Sequence, residues 1–436
     1  MSSSNLPTST LNLNATSNLS SANSASSAQP APKYKPYELK FKTNFEKPVI
    51  LDNFEKRKWR QTFDDDWNFY WSSVGNIRKI FNPHSGIRLG DHQIINHFPN
   101  HYELTRKDLM VKNLKKYTRE MEKLGENVKV LDYLPLTFTL PVEYCLFEKK
   151  FNDAKQTGGS MWIMKPIARY GGAGISIVTK KSQVKDWMKE RGRYCSTRDQ
   201  HVISKYISNP FLIGGRKFDL RMYCLVTNYK PVKAYIYKHG FARFSAYKYT
   251  NDSRQLDDMR IHLTNTTLQK MAPAYNDTHG LKWSYQNLLQ YLEHTRGKEA
   301  VDKMIEEIDY ICIHTLKAVS AVIYNDKHCF EMYGYDIMLD SNLKPWLIEV
   351  NASPSLATTT AADRVLKSCL MNDTFKIVLR KEFPDVPFYD YKVNISDRGL
   401  GDYRVLVNED THTVGTPHGG TSTSRPPSKL RSRGIY

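Results

Sequence analysis

Two carboxylates and a carboxamide fall close together in Tyr333-Gly-Tyr-Asp336-Ile-Met-Leu-Asp-Ser-Asn-Leu-Lys-Pro-Trp-Leu-Ile-Glu349-Val-Asn351, which reads as two strands joined by a turn at Ser341-Asn342. With those two residues as the loop, Asp340 faces Leu343 and Asp336 sits opposite Leu347. Side chains alternate along a strand, so Glu349 and Asn351 then leave the same face as Asp336. Three hard oxygen donors on one patch suit Mg²⁺, which keeps some waters and completes its shell with phosphate oxygens. The reading depends on the turn, because a one-residue slip would carry Asp336 to the other face. Paired acids on a hairpin also fit an ordinary solvated face. Against that, Ile337, Met338, Leu347, Ile348 and Val350 make both strands read as buried, where unpaired carboxylates are costly.

Upstream, the apolar run Met161-Trp-Ile-Met-Lys165-Pro166 carries one lysine and leads into Arg169-Tyr-Gly171-Gly172-Ala-Gly174. A lysine on a buried strand needs an anion, and glycines let backbone N–H groups close around phosphate oxygens. A Gly-rich turn taken alone is more often a plain hairpin. No Gly-Lys-Ser/Thr follows, so it is not a Walker loop, and there is no His-Arg-Asp kinase loop. In Gly214-Gly-Arg-Lys217-Phe218-Asp219-Leu-Arg221, the charged residues at 217, 219 and 221 alternate with Phe218, Leu220 and Met222. A strand charged on one face suits the wall of a cleft; it also suits an amphipathic edge strand. Arg243, within Gly-Phe-Ala-Arg-Phe, has the fork that clamps a carboxylate, although surface arginines are commoner. The run His262-Leu-Thr264-Asn265 adds polar groups without a chemistry of its own.

Positioning these residues falls mainly to strands: Met161–Pro166, Val202–Ile207, Phe218–Thr227, Val232–Tyr237, Phe330–Leu339 and Pro345–Val350. One long helix, about 298–323, repeats Val301, Met304, Ile305, Ile308, Ile311, Cys312, Leu316, Val319, Val322 and Ile323 at helical spacing and is core scaffold. Residues 45–130 read as an α/β unit with an aromatic cluster at Trp67, Phe69, Tyr70 and Trp71, ending in a mixed polar and basic stretch at 101–123. Residues 1–32 carry no charge and too few large apolar groups to offset ordering entropy, and the basic segment from 397 reads as a second tail.

With 436 residues, 40% hydrophobic, the chain is long enough for two or three cores. Six cysteines without a Cys-x-x-Cys pair argue against disulfides and a zinc site. No apolar run is long enough for a membrane span or a secretory leader, so a cytosolic or nuclear protein is expected. A formal charge of +18, from 63 Lys and Arg against 45 Asp and Glu, points to a polyanion: nucleic acid, a membrane surface, ATP or an acidic protein. A solvated basic surface is the plainer alternative.

Taken in order, Trp162-Ile-Met-Lys165-Pro, Gly-x-Gly-Ile, Gly-Arg-Lys-Phe-Asp-Leu-Arg, His-Leu-Thr-Asn, Tyr-Gly-x-Asp and Ile-Glu-Val-Asn-x-Ser-Pro-Ser-Leu resemble the tubulin tyrosine ligase-like family. Asp66-Trp-Asn-Phe-Tyr-Trp and Asn96-His-Phe-Pro-Asn-His-Tyr-Glu-Leu-Thr-Arg-Lys-Asp-Leu are similar to that family's short polyglutamylases, and the likeness covers about 45–395. The resemblance implies a mixed α/β ATP-grasp fold: a tail at 1–40, an N-terminal α/β domain at 41–130, a central domain at 131–205, a C-terminal catalytic domain at 206–396 and a disordered basic tail at 397–436. It implies that ATP lies between the last two domains, contacted by Lys165, Gly171, Gly172, the hinge Ser204, Lys205, Tyr206 and Ile207, then Lys217, Phe218, Asp219, Thr264 and Asn265. Asp336, Glu349 and Asn351 map to ligands of two Mg²⁺ ions. Arg243, Lys282 and Lys367, with Gly171, map to substrate contacts, and Lys165, Arg221 and Glu349 to catalytic groups. Two departures stand out: Ala173 and Ser204 replace a lysine-containing turn and a glutamine frequent among relatives.

The activity implied is ATP-dependent addition of free L-glutamate to glutamate side chains in the acidic C-terminal tails of tubulin, through an acyl phosphate. The partners are then tubulin or microtubules, with accessory subunits admitted, rather than nucleic acid or membrane. Basic residues from Arg106 to Lys129 and in the C-terminal tail would meet the acidic acceptor, and the setting would be the cytoplasmic cytoskeleton, in a cilium axoneme or basal body. Alternatives of another kind are a microtubule-binding scaffold that has lost catalysis, a glycine-adding ligase, and a ligase for a small molecule. The sequence leaves open α- against β-tubulin, initiation against elongation, and the need for partner subunits.

Overall fold

The computed structural model describes residues 35–156, 161–167, 169, 171–191, 200–272, 281–379, 383, 399–415 and 421–423. The expected N-terminal tail therefore lies, up to residue 34, outside the described residues.

Two sheets organise the chain. The smaller has four antiparallel strands, Thr137–Leu140, His201–Lys205, Trp162–Pro166 and Ser176–Val178, in that spatial order. Alternation gives it two different faces. Trp162 and Met164 join Phe138, Leu140, Val178 and Ile203 against Phe147 and Phe151 of helix Tyr144–Gln156 and Val184 of helix Lys181–Arg191. Ile163 and Ile177 take the other face and pack with Tyr206, Leu256 and Leu263. Lys165 falls on this second face, toward the larger sheet.

The larger sheet is built on the strand Arg216–Tyr229, which pairs along one edge with Cys329–Leu339 and along the other with Phe241–Lys248 and Val232–Tyr237. Phe218, Leu220, Met222, Cys224 and Val226 pack against helix Lys298–Ser320 through Val301, Met304, Ile308, Ile311, Cys312 and Leu316. At about 1.5–3 kcal/mol for each fully buried large side chain, this face anchors the strand far more firmly than the charges opposite it. The opposite face changes character along its length. Tyr223 and Leu225 are covered by Leu370, Met371 and Phe375 of helix Ala361–Val378, whereas Lys217, Asp219 and Arg221 are left to a cleft.

The N-terminal α/β unit does not own a separate sheet. Its parallel strands Lys40–Thr43, Phe69–Trp71 and Ile94–Asn96 continue into Cys329–Leu339 through the pairs Ile95↔Cys329 and Asn96↔Phe330. The polar and basic stretch at 101–123 is largely the helix Lys107–Lys123, which buries Met110, Val111, Leu114 and Tyr117 and exposes Lys112, Lys116 and Arg119.

One expected boundary is corrected. The basic tail was expected from 397, yet Tyr403–Asn408 pairs antiparallel with Val232–Tyr237 and is followed by Thr413–Gly415 and Thr421–Thr423. Composition misled here because Tyr403, Leu406 and Val407 are few, though all are buried. Arg404, which contributes to the basic impression, is buried in an ion pair with Asp309 of the long helix at 2.7 Å. Among the described residues the cysteines are free thiols, and no helix is long and apolar enough to cross a membrane.

Candidate active site

Strand register places the charged residues in rows across the larger sheet. Lys282 pairs with Arg243, and Arg243 with Asp219. Two residues further along, Arg221 pairs with Asp336 and Asp336 with Glu349; beyond them Tyr223 pairs with Gly334 and Gly334 with Asn351. Residues directly opposite one another share a face, and rows two residues apart share it too, so all three rows leave the same side of the sheet. Gly334 is needed where it stands: a Cβ there would lie 3.2 Å from Arg221 Cδ, in the path of the arginine side chain.

The hairpin reaches this arrangement by a different route from the one its sequence suggests. Asp336 faces Glu349, not Leu347 as expected. The turn is longer than two residues, because the Asp340 carboxylate accepts from the N–H groups of Asn342 and Lys344 and from Trp346 Nε1, and Leu343 adopts φ +62°. Leu339 consequently pairs with Pro345. That slip alone would separate Asp336 from Glu349 and Asn351 by face. A bulge in the edge strand Pro345–Asn351, with Ile348 the extra residue opposite Asp336 and Ile337, shifts the register once more and restores the common face.

Four buried charges alternate across the rows. Arg221 grips Asp336 through Nε at 2.5 Å and Nη2 at 3.0 Å; Arg243 grips Asp219 at 2.8 and 2.5 Å and also reaches Asp336 at 2.9 Å. Burial by itself would raise the Asp336 carboxyl, but the guanidiniums of Arg221 and Arg243 outweigh it and hold the group well below the usual carboxylate range. Asn351 Nδ2 lies 3.4 Å from Asp336 and 3.3 Å from Glu349. Lys282 donates to Asp363 at 2.7 Å, and Lys367 to the carbonyl of Ala357. Each of the three cations expected to hold a substrate carboxylate thus has a protein partner.

Across the cleft, Lys165 and Lys217 face the same space, which with its mouth is about 1090 Å³. Burial pulls Lys165 down to about 8 despite Glu349, Asp336 and Asp219. Burial and the neighbouring Lys165 charge pull Lys217 down to about 7. Two buried ammonium groups facing one space are each disfavoured, and an anion between them would offset that. The glycine loop forms one wall: Gly171, Gly172 and Gly174 have φ of +71°, +86° and +73°. At Gly172 a Cβ would lie 2.8 Å from Leu268 and 3.4 Å from Asn265 Oδ1, so the loop closes against the turn after Thr264. Ser204, Lys205, Tyr206 and Ile207 line the opposite side; Ser204 is paired with Thr137 at 2.8 Å, and Lys217 donates to Tyr206 Oη at 3.1 Å.

Phe218 is a correction among the expected contacts. Its ring lies in the core with Phe211 and Phe244, because it alternates to the face opposite Lys217 and Asp219. Two cleft residues stand elsewhere than expected: Lys107, counted among the basic residues that would meet the acceptor, and His262, which carried no chemistry of its own. Lys107, at the start of helix Lys107–Lys123, places Nζ 2.8 Å from Glu349 Oε2. His262 Nδ1 lies 2.9 Å from Tyr206 Oη and so backs the Lys217 contact. Both fall inside sequence motifs noted above, but nothing local distinguishes Lys107 from the many lysines around it.

The oxygen donors fit a hard cation: two carboxylates from adjacent strands with a carboxamide in reach of both. Among the described residues no cluster of three His, Cys, Asp or Glu occurs, and the side chain beside the two carboxylates is the Asn351 amide. Two sheets clasping a cleft lined by lysines and hard oxygens define an ATP-grasp ligase. The chain belongs to the tubulin-tyrosine ligase family, whose model matches residues 85–385. It is 47% identical over 391 residues to a Tetrahymena thermophila protein named probable alpha-tubulin polyglutamylase Ttll1, covering 85% of this chain and 93% of the relative. It is 41% identical over 374 residues to a Bos taurus protein named probable tubulin polyglutamylase TTLL9, covering 78% of this chain and 79% of that one. A mouse protein named tubulin polyglutamylase TTLL5 is 34% identical over 327 residues, 72% of this chain and 23% of the relative.

Proposed function

We propose that the protein adds glutamate to glutamate side chains in the acidic C-terminal tails of tubulin, using ATP to activate the acceptor. The observation that carries the reading is the set of three rows, which places Lys282, Arg243, Arg221, Asp336, Glu349 and Asn351 on one face of the sheet, with Asp336 and Glu349 sharing the cleft with Lys165. The names of the relatives support tubulin and glutamate as the substrates.

In this reading Lys165 and Lys217 neutralise the phosphates of ATP, the loop at Gly171 and Gly172 covers them, and the segment from Ser204 to Ile207 with Thr264 and Asn265 holds the nucleoside. Asp336, Glu349 and Asn351 would hold Mg²⁺, which supplies neutralising charge at the phosphate oxygens when bound. Amide formation from a carboxylate is uphill. An acceptor carboxylate oxygen therefore attacks the γ-phosphorus, ADP departs, and the amine of free glutamate displaces phosphate from the acyl phosphate as the new C–N bond forms. Lys165, Arg221 and the charge of Glu349 set the field around that centre, so the protein acts by positioning and electrostatics, with no covalent enzyme nucleophile.

Arg243, Lys282 and Lys367 hold the incoming glutamate. The exposed Lys112, Lys116 and Arg119 beside the cleft meet the acidic tail, and the place of action is the cytoskeleton, in cilia or basal bodies. Incubation of the purified protein with microtubules, ATP and glutamate, followed by mass spectrometry of the tubulin tails, tests the reading. Added glutamyl units are expected; label entering only small molecules, or glycine in place of glutamate, would overturn it.

A further inference from the structure

Lys282 and Lys367 converge from unrelated elements. Lys282 stands on the strand Lys282–Ser284 beside Arg243, with its ammonium 5.0 Å from the Phe241 ring centre, and Lys367 sits nearly two turns into helix Ala361–Val378. Between them lies Asp363, only 4% exposed. Its Oδ2 is 2.7 Å from Lys282 Nζ and 4.0 Å from Lys367 Nζ. The same oxygen accepts from the Thr359 hydroxyl at 2.7 Å and from the Thr359 N–H at 3.3 Å, while the Asp363 N–H donates to the Thr360 side chain. The carboxylate is thus fixed by the backbone turn before the helix, independently of the lysines it serves.

We propose that Asp363 is a positioning residue for the amino-acid donor: it sets the Lys282 and Lys367 ammonium groups at the distance at which one donor carboxylate is received. The inference rests on the donor-site reading given above. Charge supports it. Arg221 and Arg243 are matched by Asp219 and Asp336 within bonding distance, so they offer no surplus. Lys282 and Lys367 share one carboxylate, which leaves one positive charge unmatched, the amount a single carboxylate needs. Without Asp363 two buried ammonium groups would repel and drift. Burial already pulls Lys367 down to about 8, with Asp363 the charge that opposes this and Lys282 and Arg221 adding to it.

An acid in the first turn of a helix also stabilises the helix dipole, and that role alone would leave substrate binding untouched. Steady-state kinetics of the full chain with microtubules separates the two. Asp363→Asn keeps the shape and removes the charge; it is expected to raise KM for glutamate about tenfold or more with kcat nearly unchanged. Affinity for a non-hydrolysable ATP analogue with Mg²⁺ should stay within about twofold. Thr359→Val, which removes one hydrogen bond to the carboxylate, should raise KM about two- to threefold and remains decisive if the first variant does not fold. Unchanged glutamate KM in these variants, or an equal loss of glutamate and nucleotide affinity, would overturn the proposal. Lys282→Ala and Lys367→Ala distinguish its failure from that of the donor site. If they leave glutamate KM unchanged, the donor site is elsewhere; if they raise it while Asp363→Asn and Thr359→Val do not, only the role of Asp363 is lost.

Discussion

Lys107 and Glu349 join the N-terminal unit to the oxygen-donor cluster: the lysine ammonium lies 2.8 Å from Glu349 Oε2, at the start of a helix whose other end packs on the long scaffold helix. Glu349 faces the cleft next to Asp336 without an arginine of its own, so Lys107 is the charge that balances it in the ligand-free protein. Lys107→Met should lower affinity for the Mg²⁺ complex of an ATP analogue by about tenfold and change unfolding free energy by less than about 1 kcal/mol, since the pair is partly exposed. Titration calorimetry and urea denaturation measure the two effects; a large stability loss with unchanged affinity would make the contact purely structural.

Asp336 and Glu349 are neighbours with opposite consequences for stability. Asp336→Asn leaves Arg221 and Arg243 buried with too little counter-charge, and should cost about 3–5 kcal/mol. Glu349→Gln removes a less buried partner and should cost about 1 kcal/mol or less. Ligase activity should fall at least about a hundredfold in both. Equal destabilisation by the two substitutions would refute the difference in burial as its cause.

Burial depresses Lys165 to about 8 and Lys217 to about 7, against an ordinary lysine value of 10.5. The unfolded chain therefore binds more protons between about pH 7 and 10, and these two groups make stability rise with pH across that window. An anion bound between them favours the ammonium forms. Nucleotide binding at pH 8 should take up protons, and at pH 6 almost none. Calorimetry in buffers of different ionisation enthalpy reads this directly, and release of protons at pH 8 would contradict the placement of phosphates beside these lysines.

Gly172 cannot be replaced without strain. An alanine there combines φ +86° with a Cβ 2.8 Å from Leu268, a local cost of about 1–3 kcal/mol. The loop is peripheral to the cores, so the melting temperature of Gly172→Ala should stay close to that of the parent while KM for ATP rises. An unaltered KM would mean that the loop does not close over the nucleotide.

The final strand offers a test away from the cleft. Arg404→Ala leaves Asp309 buried and unpaired, where burial already raises its carboxyl, and should cost about 3–5 kcal/mol. Thermal unfolding would detect this readily; a shift of a degree or less would return residues 399–408 to the status of a dispensable tail.

Periodicity alone identified the strands around Lys165, Lys217 and Asp336, the face shared by Lys217, Asp219 and Arg221, and the long helix, because burial on one side of an element imprints a repeat of two or of about 3.6 residues. The motifs carried the family. Other features depended on partners far away in the chain. Lys107 and Asp363 look like ordinary surface charges until helix packing brings one to Glu349 and the other to Lys282. Arg404 reads as tail until Asp309 is beside it. The common face of Asp336, Glu349 and Asn351 was anticipated from a two-residue turn, whereas the folded hairpin combines a longer turn with a compensating bulge. Local sequence specifies which side chains alternate. The register that brings three oxygens together was set by Asp340 in the turn and by an edge strand free to bulge, and those are properties of the assembled sheet.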